Sequence, residues 1–370
     1  MTARIRILHI VHNLDYGGLE RLVGALVRLT DPARFENHVL TLRDLGRFAE
    51  GLERDAGLHR QAPMRRASML WPVALTRTIR AIAPDVVHTH SGVWYKASLA
   101  ARRAGVRRLI HTEHGRQYPD PWLARTLDHL AARRTDVVVA VSERLGRQMA
   151  DDVVGDRGRI RVVPNGVDTE RFRPLAVNGA MRRELGLPDG ARVIGSIGRL
   201  VPIKGYDVMI RAFAILRDTW RDGPPPALVI VGDGPERARL AELIEGHGLG
   251  GAVRLVGWRR DVERCYASFD LFTLSSWSEG TSIGLLEAMS TAVCPVVTDV
   301  GGTPAVLGDP LRHRLVPSGD AAALAHAWRD ALADGDRRGA DARAGRERIE
   351  RLFGLVPMVR AYERLYTGDS

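Results

Sequence analysis

Residues 4–29, "RIRILHIVHNLDYGGLERLVGALVRL", contain the arrangement that decides the fold. The segment begins as an apolar strand, turns at Gly17 and Gly18, and continues with apolar residues at helical spacing. It is one strand–turn–helix unit, and units of this kind follow one another along most of the chain. This repetition predicts an α/β protein built on parallel sheets.

The predicted strands fall into two series. After the first strand they are expected at 37–42, 85–89, 107–112, 136–141 and 160–163, and then at 191–200, 227–234, 252–257, 269–275 and 292–298. The intervening "VVPNGVDTERFRPL" (162–175) holds two prolines and an Asn-Gly pair without periodicity, which is typical of a linker. We therefore predict two Rossmann-like, doubly wound domains facing across a cleft. The expected boundaries are a first domain at 1–165, a hinge linker at 166–175, a second domain at 176–350, and a C-terminal helix at 351–370 that packs back on the first domain.

Composition excludes several classes of protein. The chain has 370 residues, of which 45% are hydrophobic, and only two cysteines, which favours a reducing cytoplasm over a disulfide framework. No run approaches the roughly 18 apolar residues of a membrane span, and the N-terminus is too short and too arginine-rich for a signal peptide. We expect a cytoplasmic protein that can touch the inner face of the membrane.

Positive charge is concentrated in the first half of the chain. The net charge is +10, and residues 57–112 hold ten basic side chains and one acid, Asp85. Such a field attracts an anionic ligand or an anionic lipid surface, although a merely solvated basic face is the alternative. Within it, "MRRASMLWP" (64–72) places Arg65 and Arg66 beside Trp71, as in an interfacial anchor or a groove mouth; ordinary core contacts for Trp71 are equally compatible. The sequence has no interleaved aromatics of the kind that bind nucleic acid.

Glycine turns and one lysine point to a phosphate ligand. Glycines at the ends of strands let backbone N–H groups approach a phosphate, but no G-x-G-x-x-G fingerprint of dinucleotide enzymes follows the first strand. In "GRLVPIKG" (198–205), Lys204 follows Arg199 by five residues, and the chain has 52 arginines but only two lysines, Lys96 and Lys204. Lysine brings a compact point charge to phosphate oxygens, so this loop suits a departing diphosphate.

The stretch "WSEGTSIGLLEAM" (277–289) predicts a helix over 282–291 with few polar side chains. If its N-terminus points at the diphosphate, its free N–H groups bind the phosphate oxygens. Glu287, about one turn inside, would then accept hydrogen bonds from sugar hydroxyls. Glu279, on the loop before the helix, would lie nearer the reacting group.

Two histidine pairs, "HTH" (88–90) and "HTEH" (111–114), end predicted parallel strands. His88 and His90 would share one strand face because side chains alternate along a strand. A metal would need further ligands and supporting contacts, so we predict no metal site. His114 is instead expected to be a polar contact or base near the acceptor, with a satisfied structural histidine as the alternative.

The motifs "SEGTSIGLLEAM", "GRLVPIKG", "VGDGPER", "VPNGVD" and "LDYGGLER" together resemble glycosyltransferase family 4 over residues 5–365. These are retaining, nucleotide-sugar-dependent enzymes of the GT-B fold, and "GGLER" with "TEHG" is most similar to bacterial exopolysaccharide-associated members. One departure is Thr281-Ser282, where many members have Phe-Gly. Because that turn helps shape the sugar pocket, the donor sugar is not specified.

The resemblance implies a role for each matching residue. The first domain would bind the acceptor and the second the nucleotide sugar. The implied catalytic residues are Glu279, His114, Arg199 and Lys204. The implied donor-binding residues are Gly17, Gly18, Gly198, Arg199, Lys204, Gly232, Gly257, Trp258, Gly280, Ser282, Ile283 and Glu287. Candidate acceptor contacts are His90, Arg65, Arg66, Trp71 and Arg116.

The resemblance implies transfer of a sugar, with retention, from a nucleotide-diphosphate sugar (UDP-linked by expectation) to a lipid-linked or growing cell-surface saccharide. Arg199 and Lys204 can do the charge work of a metal, so no metal or other cofactor is expected. The alternatives are a soluble natural-product glycosyltransferase, a nucleotide-sugar 2-epimerase and a non-catalytic nucleotide-sugar-binding protein. An epimerase would need extra acid–base groups and no acceptor, whereas the basic first domain favours a separate anionic acceptor. The expected partners are the donor, a saccharide acceptor and an anionic membrane surface, without nucleic acid.

Overall fold

A computed structural model describes residues 4–15, 17–61, 71–115, 121–176, 179–188 and 190–369. The chain divides into two compact units. The first comprises Met1–Asn165 and Leu355–Ser370, and the second is the continuous segment Gly166–Gly354. Within the described residues, no helix combines the length and the apolar content that crossing a membrane requires.

A parallel sheet forms the centre of the first unit. Its strands are β1 (Ile5–Val11), β2 (Phe35–Thr41), β3 (Gly57–Arg60), β4 (Val86–His90), β5 (Arg108–Glu113), β6 (Val137–Ala140) and β7 (Ile160–Val162). They are ordered β3-β2-β1-β4-β5-β6-β7, and neighbouring strands pair in parallel. The central strands β1, β4 and β5 are largely buried, as expected for a parallel sheet covered on both faces.

Helices alternate with most strands of the first unit along the chain. They are α1 (Gly18–Leu29), α2 (Val73–Ile82), α3 (Trp94–Ala104), α4 (Trp122–Ala132) and α5 (Glu143–Met149). In α1, for example, Leu22, Val23 and Leu26 are buried, whereas Leu29 is exposed. A helix at the C-terminus of the chain, Leu355–Thr367, also belongs to this unit and buries Tyr362 and Tyr366.

The second unit repeats the arrangement. Its strands are β8 (Val193–Ile197), β9 (Ala227–Val231), β10 (Val253–Gly257), β11 (Leu271–Leu274), β12 (Cys294–Thr298) and β13 (Leu315–Val316), in the order β10-β9-β8-β11-β12-β13. Its helices are α6 (Gly179–Glu184), α7 (Tyr206–Thr219), α8 (Arg237–Gly246), α9 (Val262–Tyr266), α10 (Ile283–Ser290), α11 (Thr303–Leu307), α12 (Ala321–Ala333) and α13 (Gly335–Leu352). The C-terminal helix Leu355–Thr367 is then α14. Two apolar clusters, one on each side of the sheet, contain the buried Tyr266 and Trp328.

The segment predicted as a linker lies mostly in the second unit. Phe172 is only 4% exposed there and belongs to an apolar cluster. The guanidinium of Arg346, on α13, donates to the carbonyl oxygens of Thr169 (3.1 Å) and Phe172 (2.8 Å). Residues 166–175 are therefore fastened to this unit at Thr169 and Phe172.

The strand orders identify where a ligand can bind. In each sheet the order reverses beside the first strand of the unit, between β1 and β4 and between β8 and β11. Connections leave in opposite directions at such a point and open a crevice at the carboxyl ends of the strands. The prediction of two Rossmann-like, doubly wound parallel sheets is confirmed.

Candidate active site

In the second unit, three predicted donor-binding glycines meet at the carboxyl ends of β8, β9 and β10. Gly232 N–H donates to the carbonyl of Gly257 (2.8 Å), and Gly198 N–H donates to Val231 (3.0 Å). Gly232 has a φ of +136°, and a Cβ there would lie 1.9 Å from the carbonyl oxygen of Gly198. Only glycine fits this close backbone approach. Trp258, the next predicted contact, is half-buried beside this turn.

Lys204 is positioned by the end of β11. It closes a short 3₁₀ turn, Pro202–Lys204, and Gly205 follows with a φ of +61°. The hydroxyl of Ser275 donates to the carbonyl oxygens of Lys204 (3.1 Å) and Gly205 (2.8 Å). A Cβ on Gly205 would lie 2.2 Å from the Ser275 carbonyl oxygen, so the loop requires glycine there. Arg199, at the start of the same loop, is exposed.

Lys204 and Glu279 form a close ion pair. The Lys204 ammonium donates to Oε1 (2.7 Å) and Oε2 (2.9 Å) of Glu279. The hydroxyl of Ser276 donates to the same Oε1 at 2.6 Å. The Glu279 side chain is only 7% exposed, so this carboxylate is fixed in place. The sequence placed both residues at the site, and the structure joins them directly.

The backbone around Glu279 is equally constrained. Gly301 has a φ of +52°, and a Cβ there would lie 1.6 Å from the carbonyl oxygen of Glu279. Gly302 N–H donates to the carbonyl of Gly280 at 2.8 Å. The turn after β12 therefore holds the loop that carries Glu279 and Gly280.

Helix α10 begins at the same edge of the sheet. Ser282 is its N-cap residue and makes no side-chain capping hydrogen bond, and Ile283 is its first residue. A Cβ on Gly284 would lie 3.1 Å from the carbonyl oxygen of Ile197, the last residue of β8. The helix N-terminus, with its free N–H groups, thus adjoins the carboxyl end of β8, as a phosphate site requires.

Glu287 lies one turn inside this helix and is 2% exposed. Its Oε2 accepts a hydrogen bond from the hydroxyl of Tyr266 at 2.8 Å. That hydroxyl also lies 3.2 Å from the carbonyl oxygen of Gly284. A hydrogen bond from Tyr266 therefore orients a carboxylate that the resemblance assigns to the ribose.

In the first unit, three histidines form a chain that ends at His114. Nδ1 of His9 lies 3.3 Å from Nε2 of His90, and Nδ1 of His90 lies 3.2 Å from Nε2 of His114. His9 and His90 are fully buried, whereas His114 is half-buried just beyond the end of β5. Nδ1 of His114 is buried and has no hydrogen-bond partner among the described residues. His90, a predicted acceptor contact, therefore lies behind His114, and His9 was not singled out from the sequence.

Burial keeps these imidazoles neutral. It lowers the pKa of His9 and of His114 to about 4, and it lowers the pKa of His88 and His90 well below the usual 6.5. Neighbouring histidines add to the effect at His88 and His90, while Glu113 opposes it at His114. At neutral pH, His114 is therefore uncharged and can accept a hydrogen bond.

His88 and His90 do share one face of β4, with ring centroids 4.2 Å apart. With His9 they could bring three nitrogens within 4.8 Å of one another. However, both nitrogens of His88 have hydrogen-bond partners, the hydroxyls of Tyr366 (2.9 Å) and Thr112 (2.8 Å). No described carboxylate joins the group to balance a buried dication. These contacts favour a hydrogen-bonded network over a metal centre.

Some of the remaining predicted residues of the first unit are described, and others lie outside the described residues. Gly17 is the N-cap of α1, and Gly18 is its first residue. Trp71 is 67% exposed, so the core alternative for it is wrong, and the guanidinium of Arg103 covers its ring at 4.1 Å. Arg65, Arg66 and Arg116 lie outside the described residues.

The first unit also contains a cavity of about 720 Å³ that the sequence did not reveal. It lies beyond the carboxyl ends of β1 to β5 and against α3 and α4. Its lining includes His12, Arg43, Arg60, Lys96, Glu113 and Asp128. From the sequence, Lys96 stood out only as one of the two lysines. The strands and helices that form the cavity around it are distant in sequence, so the sequence did not reveal the cavity.

Comparisons with known proteins agree with this architecture. The family model "Glycosyltransferase Family 4" matches residues 16–171, and "Glycosyl transferases group 1" matches residues 178–348. The GDP-mannose-dependent alpha-(1-6)-phosphatidylinositol monomannoside mannosyltransferase of Mycolicibacterium smegmatis is 32% identical over 89% of this chain and 88% of its own. The UDP-Gal:alpha-D-GlcNAc-diphosphoundecaprenol alpha-1,3-galactosyltransferase of Escherichia coli is 30% identical over 62% of each.

Among solved structures, HepE of Anabaena in complex with UDP and glucose matches with a TM-score of 0.85. The match covers 99% of this chain and all of that one at 20% identity, which demonstrates a common fold. The fold, the two family models and the mannosyltransferase relative lead to one conclusion: the chain belongs to glycosyltransferase family 4 and has the GT-B fold that its motifs predict.

Proposed function

We propose that this glycosyltransferase moves a hexose, with retention at the anomeric carbon, from a UDP-sugar to a phosphate-bearing, lipid-linked saccharide. The observation that carries the proposal is the fixed Lys204–Glu279 pair, at 2.7 Å, in the loops that follow β8 and β11. Gly198, Gly232 and the N-terminus of α10 lie at the same edge of the sheet. Together they offer a cation, close backbone approach and free N–H groups, which suit a sugar diphosphate.

Each group then has a task during transfer. Lys204 has three N–H donors, so it can keep Glu279 in place and also bind a phosphate oxygen. Arg199 and Lys204 stabilise the negative charge that grows on the departing diphosphate. Glu279 contacts the transferring sugar, and Glu287, oriented by Tyr266, holds the ribose hydroxyls.

Retention follows in this proposal from front-face attack by the acceptor hydroxyl, assisted by the leaving phosphate. Neutral His114 accepts a hydrogen bond near the sugar. Positive charge at the leaving group comes from Arg199 and Lys204, so the proposal includes no metal and no further cofactor.

Two relatives support a phosphate-bearing lipid acceptor. The mannosyltransferase is named for a phosphatidylinositol monomannoside, and the galactosyltransferase for a diphosphoundecaprenol-linked sugar. In this chain, Trp122 is 77% exposed and Leu123 is 54% exposed at the start of α4, the helix that lines the cavity of the first unit. Exposed apolar side chains beside a basic field suit the surface of an anionic bilayer. We place the reaction at the cytoplasmic face of the membrane.

A donor panel tests the first part of the proposal. UDP-linked and GDP-linked sugars are incubated with the intact protein without acceptor, and slow hydrolysis is followed by nucleotide release. NMR of the first product formed with an acceptor reports its anomeric configuration. An inverted product would contradict retention, isomerised sugar at C2 would identify an epimerase, and binding without turnover would identify a non-catalytic binding protein.

Flotation with anionic and neutral liposomes tests the acceptor side at low and high salt. We expect binding to anionic liposomes alone and its loss at high salt, because a screened field cannot hold the protein. Equal binding to both lipids, or none, together with efficient transfer to a small neutral aglycone, would indicate a soluble natural-product glycosyltransferase instead.

A further inference from the structure

Lys96, the other lysine of the chain, lies in the first unit and is not one of the predicted donor-binding residues. Lys96 is the third residue of α3 and lines the cavity of about 720 Å³ in the first unit. Arg43, just beyond the end of β2, lines the same cavity. A volume of this size lies within the roughly 300–1,000 Å³ of small-molecule sites.

The acidic side chains of this cavity are already engaged. Glu113 accepts hydrogen bonds from the Ser91 hydroxyl and from the N–H of His114 (3.0 Å). Asp44 lies 3.5 Å from the guanidinium of Arg60, and Asp128 also has a partner. The acids of the lining therefore already have hydrogen-bond or ion-pair partners.

Arg43 and Lys96 differ from these acids. The structure gives neither side chain a hydrogen bond or an ion pair with any described residue. Both lie close enough to His12 to lower its pKa, after the larger effect of burial. Two cations with no acidic partner thus share one wall of a cavity.

The backbone at both positions is fixed by neighbouring contacts. Arg43 N–H donates to the carbonyl of His12 at 3.0 Å, which joins the ends of β1 and β2. Helix α3 begins at Trp94, whose ring stacks on His111 at 3.9 Å and whose indole N–H donates to Thr135 at 2.8 Å. Lys96, in the first turn of α3, adds its charge to the positive end of that helix.

We propose that Arg43 and Lys96 bind the phosphate of the acceptor in this cavity and so make the enzyme select phosphate-bearing saccharides over neutral ones. This inference rests on the proposed function, since it names the chemistry of the acceptor. Arg43 supplies a planar fork and Lys96 a compact charge, a combination that suits the oxygens of one phosphate group. His12 is available as a neutral hydrogen-bonding group beside them.

Calorimetry with the full chain tests the proposal. The titrants are inorganic phosphate, glucose 1-phosphate and a short-chain prenyl diphosphate N-acetylglucosamine, with octyl glucoside as the neutral probe. Saturating UDP, or GDP if that is the nucleotide bound, fills the donor site so that phosphate cannot bind there. Arg43→Gln and Lys96→Gln are compared with Arg54→Gln, which removes an exposed arginine of the same unit outside the cavity lining.

We expect the phosphate probes to bind the unmodified protein, and each cavity variant to weaken that binding by about tenfold or more, because each removes a charge-assisted contact. Arg54→Gln should bind as the unmodified protein does. If the prenyl diphosphate alone binds, the source of the phosphate is a lipid; if glucose 1-phosphate binds equally, a soluble sugar phosphate suffices. Arg43→Lys and Lys96→Arg retain the charge and should recover part of the affinity, which separates charge loss from misfolding.

The inference is overturned if no phosphate probe binds, if octyl glucoside binds as tightly, or if the two Gln variants bind like the unmodified protein. Donor hydrolysis by the unmodified protein provides the separate check. Absent hydrolysis would count against the proposed function, whereas hydrolysis with phosphate binding unaffected by the variants would refute this inference alone.

Discussion

In the second unit, the ammonium of Lys204 lies 2.7 Å from Glu279, whereas in the first unit Lys96 has no acidic partner among the described residues. Lys96 follows β4 and Lys204 follows β8, and the first six strands of each unit have the same order in its sheet. The paired lysine belongs to a rigid constellation that is complete before any ligand arrives. The unpaired lysine leaves charge for a ligand to neutralise, so the same topology supports a preformed site in one unit and an anion-seeking cavity in the other.

The two units also differ in their histidines. Nine of the twelve lie in the first unit, and His9, His88, His90 and His111 are fully buried there. In the second unit no described histidine is buried; His313 is partly exposed and lies 2.9 Å from Asp341. Burial lowers the pKa of His9, His88 and His90, so these three imidazoles resist protonation when folded and accept it when unfolded.

Acid should consequently destabilise the first unit before the second. An unfolded histidine titrates near pH 6.5, whereas folded His9 titrates near 4, so the unfolded state takes up protons first as the pH falls. The contribution of His9 to stability, on the order of 3 kcal/mol, should decline from about pH 6.5 and be lost by about pH 4. Hydrogen exchange of the full chain at pH 7 and pH 4.5, corrected for intrinsic rates, measures the loss in each unit.

His9→Gln should reduce this pH dependence, whereas His326→Gln, at an exposed position of the second unit, should leave it unchanged. Equal loss of protection in both units would mean that the buried histidines do not set acid sensitivity.

The rigid pair of the second unit should matter most for turnover. Lys204→Ala and Glu279→Ala should each lower the rate by about two orders of magnitude or more, the scale for losing a preorganised charge contact. Rates of donor hydrolysis and transfer, with circular dichroism to monitor folding, provide the measurement. Arg211→Ala breaks an exposed pair with Asp207 in the same unit and is the matched control. Near-normal rates in folded Lys204→Ala and Glu279→Ala proteins would remove both residues from the active site.

A substitution that disturbs the backbone around Glu279 should lower turnover less than loss of the ion pair. Gly301→Ala forces a Cβ to within 1.6 Å of the Glu279 carbonyl oxygen, and the φ of +52° adds strain. We expect a loss of about 2 kcal/mol in unfolding free energy together with reduced turnover. Gly105→Ala is the control, because Gly105 has a φ of +86° but open space around it, and it should cost about 1 kcal/mol. Equal costs for the two variants, by denaturant unfolding, would argue against a tight fit at Gly301.

The smallest effect is expected at Glu287. Glu287→Ala should raise the donor KM by about tenfold with little change in kcat, because a ribose contact is shared by the ground and transition states. Tyr266→Phe removes only the 2.8 Å hydrogen bond to this carboxylate and should raise KM less. A fall in kcat with an unchanged KM would place Glu287 at the reacting sugar instead.

The strands were largely readable from the sequence because buried parallel strands are nearly continuous apolar runs. The run at 252–257 corresponds to Val253–Gly257, and that at 292–298 to Cys294–Thr298. The strands Gly57–Arg60 and Leu315–Val316 were missed. Both are short edge strands, and Gly57–Arg60 is partly polar, so neither gives a clear period.

The site was only partly readable. The motifs named Lys204 and Glu279, but 75 residues separate them, and nothing in the sequence states that they are hydrogen-bonded. His90 looked accessible because it ends a strand, yet His9 and His114 enclose it. The cavity around Lys96 depends on segments between residues 12 and 128, whose assembly requires the sheet itself.

The sheet of the first unit depends on a helix that follows the whole second unit along the chain. Helix α14 supplies Tyr366 to His88 and Tyr362 to Thr112, at 2.9 and 3.2 Å, and the carbonyl of Leu365 accepts from Arg108 at 2.6 Å. The second unit is one continuous segment, so its residues have all left the ribosome before α14 does. During translation the unit that begins first is therefore completed last, and a chain truncated at residue 354 would leave His88 without its tyrosine partner.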